Sequence, residues 1–225
     1  MNNFYYPQLV RQDITLYYKS NGEFYATYNC ESNYRNIAKD CQYRCVYCDA
    51  RIDECGGEPF SLDHFRPVNI FSDKFNGILN IHPFNLHLSC QKCNVLKTND
   101  WKGCHIKVDG VTHLSGLGYI DRFVDDINDY IKVDDEGRVV CINDNGPGKY
   151  MVHKLLLNRT NRVYIRRRRV VKDKAERVLN ILLDKQRVLV ESFSENDCSI
   201  VDKRKKMQEL QILLERFNRL NLMRM

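Results

Sequence analysis

Apolar residues recur at two different spacings along this 225-residue chain. After residue 150 they return every three or four positions, which is the period of an amphipathic helix. Before residue 150 the apolar runs are short and are broken by Gly, Pro, Asn and Cys, which is typical of short strands joined by irregular loops. The pattern therefore predicts an α+β fold with short N-terminal strands and a helical C-terminal part.

Two stretches of the N-terminal part predict hairpins. Residues 4–30 are rich in Tyr, Phe, Ile and Thr and contain the turn signal Asn21-Gly22. Residues 119–142 predict a helix start and then a hairpin that turns at Asp135-Glu136-Gly137. The sequence NDNGPGK at residues 143–149 predicts a loop. We therefore expect one domain over residues 1–149 and a basic helical region over residues 150–225.

The charge of the chain divides in the same way. The formal net charge is +6, yet residues 151–225 hold 19 Lys and Arg against 9 Asp and Glu, a net of +10. The first 150 residues hold 16 and 20, a net of −4. The helical region is therefore the part whose charge suits nucleic acid or an acidic partner.

Cysteine content and hydropathy argue against an exported disulfide-bonded protein and against a membrane-spanning protein. The chain has ten cysteines, and its first ten residues lack the pattern of an export signal. This combination favours metal ligands or reduced thiols over disulfides. No apolar run approaches the about 18 residues that a membrane span needs. We therefore expect a cytoplasmic protein with no membrane partner.

Four of the cysteines form two matched pairs. Cys45 and Cys48 form one CxxC pair, and Cys90 and Cys93 form the other, with 41 residues between the pairs. A CxxC turn places two sulfurs on one side of a tight loop, so two such turns can close a tetrahedral structural zinc site. The alternatives are four buried free thiols and a thiol redox protein. Other residues that could replace a ligand are Cys41, Cys55, Cys104 and His105.

The stretch between and after the pairs carries a resemblance. It reads SLDHFRP at residues 61–67 and NLHLSCQKCNVLK at residues 85–97, a pattern that predicts strand, long loop, strand and then a helix starting near Asn94. Residues 41–100 resemble the HNH endonuclease family in its four-cysteine, zinc-containing branch. The resemblance implies a ββα-metal finger with a structural Zn²⁺.

The same resemblance implies a role for four residues. His64 matches the general base that activates water, and Asn85 matches the residue that orients the finger and the base. Asp63 and Asn94 match ligands of the catalytic divalent metal. The residue types suit phosphodiester hydrolysis, since a neutral imidazole can accept a proton and oxygen ligands bind Mg²⁺ or Mn²⁺. His87 could assist, although a buried structural histidine is the commoner case.

Several basic residues are candidates for phosphate contacts. Two lie in the HNH-like stretch, and the others lie on one face of the predicted helix over residues 161–171. The alternative for each is a solvated or salt-bridged charge. These candidates are Arg66, Lys97, Arg162, Arg166 and Arg169.

The sequence therefore predicts a metal-dependent HNH endonuclease that hydrolyses phosphodiester bonds in DNA. It is similar to the nuclease subunit of Septu-type or retron-linked anti-phage defence systems, which implies an ATPase partner on another chain. This chain contains no GxxxxGK[ST] motif of its own. The alternative is a non-catalytic, zinc-stapled module that binds nucleic acid.

Overall fold

The computed structural model describes residues 5–17, 19–20, 23–24, 30–194 and 199–222. The chain divides into two compact units, Met1–Ile165 and Arg166–Met225. This division falls after Ile165 and not at residue 149, because Met151, Leu155 and Leu157 are buried in the core of the first unit. None of the helices in the described part has the length and apolar character needed to span a bilayer.

Small antiparallel sheets and short helices make up the first unit, so the α+β prediction is confirmed. Its described strands pair only with their neighbours in sequence, giving four two-stranded sheets. The strands are β1 Lys19–Ser20, β2 Glu23–Phe24, β3 Phe60–His64, β4 Leu86–Cys90, β5 His113–Leu114, β6 Leu117–Gly118, β7 Ile131–Val133 and β8 Val139–Cys141. The helices are α1 Glu31–Asp40, α2 Val68–Phe71, α3 Gln91–Lys97 and α4 Pro147–Lys154. Single 3-10 turns occur at Ile14–Leu16, Ile52–Glu54, Phe75–Asn80, Pro83–Asn85 and Ile127–Asp129.

Both predicted hairpins correspond to paired strands. β1 and β2 lie on either side of Asn21-Gly22, and these two turn residues lie outside the described part of the chain. β7 and β8 pair with Ile131 opposite Cys141. Gly137 adopts φ 77° in the turn between them, a left-handed conformation that favours glycine.

Residues 60–97 contain the strands β3 and β4 and the helix α3, with α2 and two 3-10 segments between the strands. β3 pairs antiparallel with β4, from Phe60 opposite Cys90 to His64 opposite Leu86. Every residue of β4 is buried. The following helix α3 begins at Gln91 and not near Asn94, because Cys90 occupies its N-cap position and the second CxxC turn is itself the first turn of the helix. Cys90 and Cys93 thus stand three residues apart on one helical face.

A buried arginine fastens the N-terminal segment to the first CxxC turn. Arg122 is 1% exposed. It donates to the carbonyl oxygens of Pro7 at 2.8 Å and Val46 at 3.3 Å. It also pairs with the buried carboxylate of Asp49 at 3.3 Å, which Arg44 approaches to 3.1 Å. The two arginines together balance a carboxylate that would otherwise be costly to bury.

The second unit contains the greater part of α5, Thr160–Ser194, and all of α6, Ile200–Leu222. Lys185 of α5 and Glu209 of α6 form an ion pair at 2.8 Å. Leu182 and Leu189 are buried, while α6 exposes Ile200, Val201 and other large apolar side chains. The helical C-terminal part predicted from the apolar spacing is therefore confirmed.

Arg122 provides a test of this fold. We expect Arg122→Met to lower the free energy of unfolding by about 3–5 kcal/mol, because it leaves Asp49 with one buried cation fewer. The exposed Arg138 is the matched control, and Arg138→Met should change stability by no more than about 0.5 kcal/mol. Urea denaturation of both variants measures the difference. Equal midpoints would contradict a structural role for Arg122.

Candidate functional site

Four cysteine sulfurs meet inside the first unit. Cys45, Cys48, Cys90 and Cys93 are buried, and their Sγ atoms lie within 4.8 Å of one another. The Sγ atoms of Cys48 and Cys90 are 3.8 Å apart. A tetrahedral zinc site with arms of ~2.3 Å has an edge of nearly this length. In the described part of the chain, no other group of three or more His, Cys, Asp or Glu side chains is close enough to hold a metal. The cluster could therefore hold a structural metal such as zinc.

Local hydrogen bonds shape the first CxxC turn. The backbone N–H of Asp49 donates to the carbonyl oxygen of Cys45 at 2.9 Å, and the N–H of Cys45 donates to Ala50 at 2.9 Å. The N–H of Val46 donates to the carbonyl oxygen of Leu88 on β4 at 3.0 Å. This last bond brings the first turn onto the strand that leads into the second turn. The two sulfur pairs are therefore joined by backbone contacts as well as by the cluster.

Two arginine side chains contact the sulfurs, and one of them, Arg159, has no motif that predicts the contact. Nη2 of Arg159 lies 3.5 Å from Sγ of Cys90, 3.5 Å from Cys93 and 3.7 Å from Cys48. Nη2 of Arg162 donates to Sγ of Cys90 at 3.2 Å. The only sequence signal for Arg159 is its place just before a basic helix. A contact between residues so distant in the chain leaves no local motif.

The pKa shifts within the cluster differ in direction, because burial raises the pKa of Cys45 well above its usual value while a hydrogen bond with Cys45 lowers the pKa of Cys90. Burial alone would raise the pKa of Cys48, but hydrogen bonds with the other three cysteines and the charge of Arg162 hold it well below its usual value. Burial works against the charge of Arg159, yet the thiolates of Cys93 and Cys48 raise the pKa of its guanidinium. Thiolate sulfur is the form that binds metal. Cys48 and Cys90 are therefore the two cysteines whose pKa shifts favour the metal-binding thiolate.

The other candidate ligands lie outside the cluster. Cys41 is buried, and its Sγ accepts a hydrogen bond from the N–H of Leu88 at 3.4 Å. Burial raises the pKa of Cys55 to about 12, so this residue is a neutral thiol. Neither these two nor Cys104 and His105 belong to the metal-competent group.

His64 stands at the end of β3, and a backbone carbonyl oxygen contacts its ring. Its Nε2 lies 2.8 Å from the carbonyl oxygen of Asn80. A carbonyl oxygen only accepts, so Nε2 carries the proton and Nδ1 carries the lone pair of the neutral ring. Burial lowers the pKa of His64 from its usual value, more than the nearby Asp63 raises it. The imidazole is therefore neutral near pH 7 and able to accept a proton at Nδ1.

Asn85 holds the loop that carries this contact. It ends a 3-10 turn just before β4 and is buried. Its side-chain oxygen accepts from the N–H of Arg66 at 2.9 Å, and its amide nitrogen donates to the carbonyl oxygens of Arg66 at 3.1 Å and Leu79 at 2.7 Å. These bonds join the chain after His64 to the residue before Asn80. Asn85 therefore fixes both sides of the His64 contact.

Asp63 lies in a buried polar cluster. Lys97 approaches its two carboxylate oxygens at 3.1 and 3.3 Å, and Tyr47 donates its hydroxyl proton to Oδ2. Lys97 also donates to the carbonyl oxygen of His64 at 2.8 Å. Burial first, and then the charge of Asp63, raise the pKa of Tyr47 well above its usual value, so Tyr47 remains a donor.

Asn94 lies on the same face of the sheet as Asp63. Its amide nitrogen donates to Oγ of Ser61 at 3.0 Å. Ser61 and Asp63 are two residues apart on β3, so their side chains lie on the same face of the strand. Asn94 and Lys97 are one turn apart on α3, so they lie on the same face of the helix. A carboxylate oxygen and an amide oxygen are the donors that Mg²⁺ or Mn²⁺ prefers, and a hard cation with few protein ligands keeps several waters. Here both carboxylate oxygens of Asp63 are bound by Lys97, and Oδ2 also accepts from Tyr47, so a cation would have to displace a partner.

All five cations proposed for phosphate contacts are buried. Arg66 donates to the carbonyl oxygen of Gly110 at 2.6 Å and lies over the ring of Trp101. Contact with a phosphate would require exposure that these side chains lack here, so that role stays a prediction. The five are Arg66, Lys97, Arg162, Arg166 and Arg169.

His87 is enclosed between aromatic rings. It stacks on Phe65 with ring centroids 4.5 Å apart and packs against Phe123. In the described structure neither ring nitrogen has a hydrogen-bond partner, and Nε2 lies 3.9 Å from Oδ1 of Asp121. Burial lowers the pKa of His87 well below its usual value. His87 is therefore a neutral part of the core in this arrangement.

Comparison of the chain with protein-family models, with curated proteins and with solved structures found no match.

The cysteine cluster yields the second prediction. We expect the purified chain to carry zinc, and we expect Cys93→Ser and Cys45→Ser to lose both the metal and the fold of the first unit, because zinc binding supplies folding free energy. Cys141→Ser is the control, since Cys141 lies on β8 outside the cluster. Elemental analysis and circular dichroism give the readouts. A folded, zinc-free Cys93→Ser protein would contradict the prediction.

Proposed function

We propose that this chain is a metal-dependent endonuclease of the HNH type that hydrolyses phosphodiester bonds in DNA. In this proposal β3, β4 and α3 form its ββα-metal finger, and the four-cysteine cluster holds a structural Zn²⁺. The observation that carries the proposal is the neutral imidazole of His64, whose Nε2 is held by Asn80 on a loop pinned by Asn85. A fixed neutral imidazole next to oxygen ligands is what water activation at a phosphodiester requires.

The chain's own residues would act as follows. Nδ1 of His64 takes the proton from the water that attacks phosphorus. The ring becomes an imidazolium, and the carbonyl oxygen of Asn80 stabilises it by accepting from Nε2. Asn85 acts as a positioning residue, because it holds the loop that presents Asn80. Lys97 binds the carbonyl oxygen of His64 and so fixes the backbone from which the base projects.

Asp63 and Asn94 would hold Mg²⁺ or Mn²⁺, which supplies charge stabilisation for the phosphate and the leaving oxygen. To hold the cation, Asp63 would have to give up part of its contact with Lys97. Asn94 would offer its amide oxygen, since its amide nitrogen already donates to Ser61.

The third prediction tests the base. With Mg²⁺ or Mn²⁺ and supercoiled plasmid, we expect the wild-type chain to nick or cut DNA, and we expect His64→Ala to lower the rate about 10²–10⁴-fold, the range for loss of a general base. His153→Ala is the matched control, because His153 is an exposed residue of α4. If His64→Ala cleaves as fast as His153→Ala, His64 is not the base.

The fourth prediction tests the metal ligand. We expect Asn94→Ala to need a higher concentration of Mg²⁺ or Mn²⁺ for half-maximal cleavage, because one oxygen ligand is lost. DNA affinity in a gel-shift assay without divalent metal should stay unchanged. Asn99→Ala, two residues beyond α3, is the control. An unaltered metal requirement in Asn94→Ala would remove Asn94 from the metal site.

One observation favours a second function, a non-catalytic module that binds nucleic acid. Both carboxylate oxygens of Asp63 already have partners inside the protein. An Asp63 that keeps these partners would be structural. DNA binding without cleavage by the wild-type chain, with either metal and with a partner present, is the result that would support this function over the first.

A role in an anti-phage complex with an ATPase partner rests on the resemblance of the sequence alone. It stays a prediction. Co-purification of the full chain with a tagged candidate ATPase tests it directly.

A further inference from the structure

Arg159, just before α5, and Arg162, in the first turn of α5, contact the sulfur cluster. Arg159 places one nitrogen within 3.7 Å of three sulfurs, and Arg162 places one 3.2 Å from the sulfur of Cys90. Arg162 is 2% exposed. We call these two residues the arginine clamp.

Both guanidinium groups are oriented by further contacts. Nη1 of Arg159 donates to the carbonyl oxygens of Leu155 at 3.1 Å and Leu156 at 3.3 Å. Arg162 forms an ion pair with Glu58, whose other carboxylate oxygen accepts from the backbone N–H of Lys92 at 3.4 Å. Lys92 lies inside the second CxxC turn, so Glu58 joins Arg162 to that turn. The clamp is therefore held in place on the protein side.

The negative charge of a zinc ion bound by four thiolates explains why two arginines would lie beside it. Four thiolates around one divalent ion leave two excess negative charges, and these lie in a buried environment where uncompensated charge is costly. The two guanidinium groups bring two positive charges and several N–H donors to the same place. Hydrogen bonds to charged sulfur also stabilise its lone pairs.

We propose that Arg159 and Arg162 are positioning residues of the metal centre, and that they set how tightly the four cysteines hold zinc. This inference rests on the cysteines binding zinc and does not depend on nuclease activity. In this role the guanidinium of Arg162 is already bound to Cys90 and Glu58, so it is not available to a phosphate.

Zinc affinity of the full chain is the direct test. Competition with a chromogenic chelator compares wild type with Arg159→Gln and Arg162→Gln. Loss of a residue that orients or neutralises metal ligands typically weakens binding 10–100-fold, and we expect this for each clamp variant. Arg168→Gln is the matched control, since it removes the same charge from an exposed position of α5. The control should bind zinc as the wild type does.

Cobalt substitution gives a readout that general destabilisation would not produce. Removing N–H donors from thiolate raises the energy of the sulfur lone pairs, so the sulfur-to-Co²⁺ charge-transfer band should move to lower energy in both clamp variants and stay in place in Arg168→Gln. Clamp variants that match the control in both zinc affinity and band position would overturn the proposal. So would a wild-type chain that binds no zinc.

Arg159→Lys keeps the test decisive if Arg159→Gln fails to fold. Lys retains the positive charge but lacks the planar fork of Arg. We expect Arg159→Lys to fold and to bind zinc more weakly than wild type, with a shifted cobalt band. Wild-type affinity together with a wild-type band in this variant would count against the clamp. If the clamp results hold while His64-dependent cleavage is absent, the nuclease proposal fails and the clamp stands.

Discussion

The meeting of four buried sulfurs is the constraint on which the first unit depends. β3 and β4 have five residues each, and an isolated two-stranded hairpin of this size is marginally stable in water. The cysteine cluster connects this strand pair to the Cys45–Cys48 turn, which precedes β3, and to the helix α3, which follows β4. Four thiolates repel one another when nothing lies between them, so the arrangement calls for positive charge at its centre and around it. A metal would supply the first, and Arg159 and Arg162 supply the second.

Buried cations recur throughout this unit, and each has an internal anion or carbonyl group as its partner. Lys97 binds Asp63, Arg122 binds Asp49 and Arg162 binds Glu58. These pairs connect segments that are far apart in sequence. In a unit whose sheets have only two strands, such pairs replace part of the order that a larger sheet would provide. A basic residue of this unit is therefore a candidate for nucleic-acid binding only if its side chain is exposed.

Much of the site could be predicted because its parts are local. The CxxC spacing indicated which cysteines would meet, since each turn sets the positions of its own two sulfurs. The hairpin at Asp135-Glu136-Gly137 followed from turn chemistry. Arg159 could not be found in this way, because it contacts sulfurs 66 to 111 positions away and no short motif encodes that separation. α3 starts three residues earlier than the sequence predicts, because a cysteine at the N-cap gives no polar capping signal. The first compact unit extends past the Gly- and Pro-rich segment at residues 143–149, because residues of the following helix α4 and of the chain after it pack into the first core.

The bonding pattern of Asn85 restricts which amino acid can stand at that position. The side chain must accept one hydrogen bond and donate two within a space set by the backbone at Arg66 and Leu79. Asp has the same shape but would turn a second acceptor toward two carbonyl oxygens, and Gln has the same chemistry but is one carbon longer. Slow chemical ageing of Asn85 to Asp would therefore do more than add a charge. A change of one mass unit would release the loop on which the His64 ring rests, while the helices stay intact.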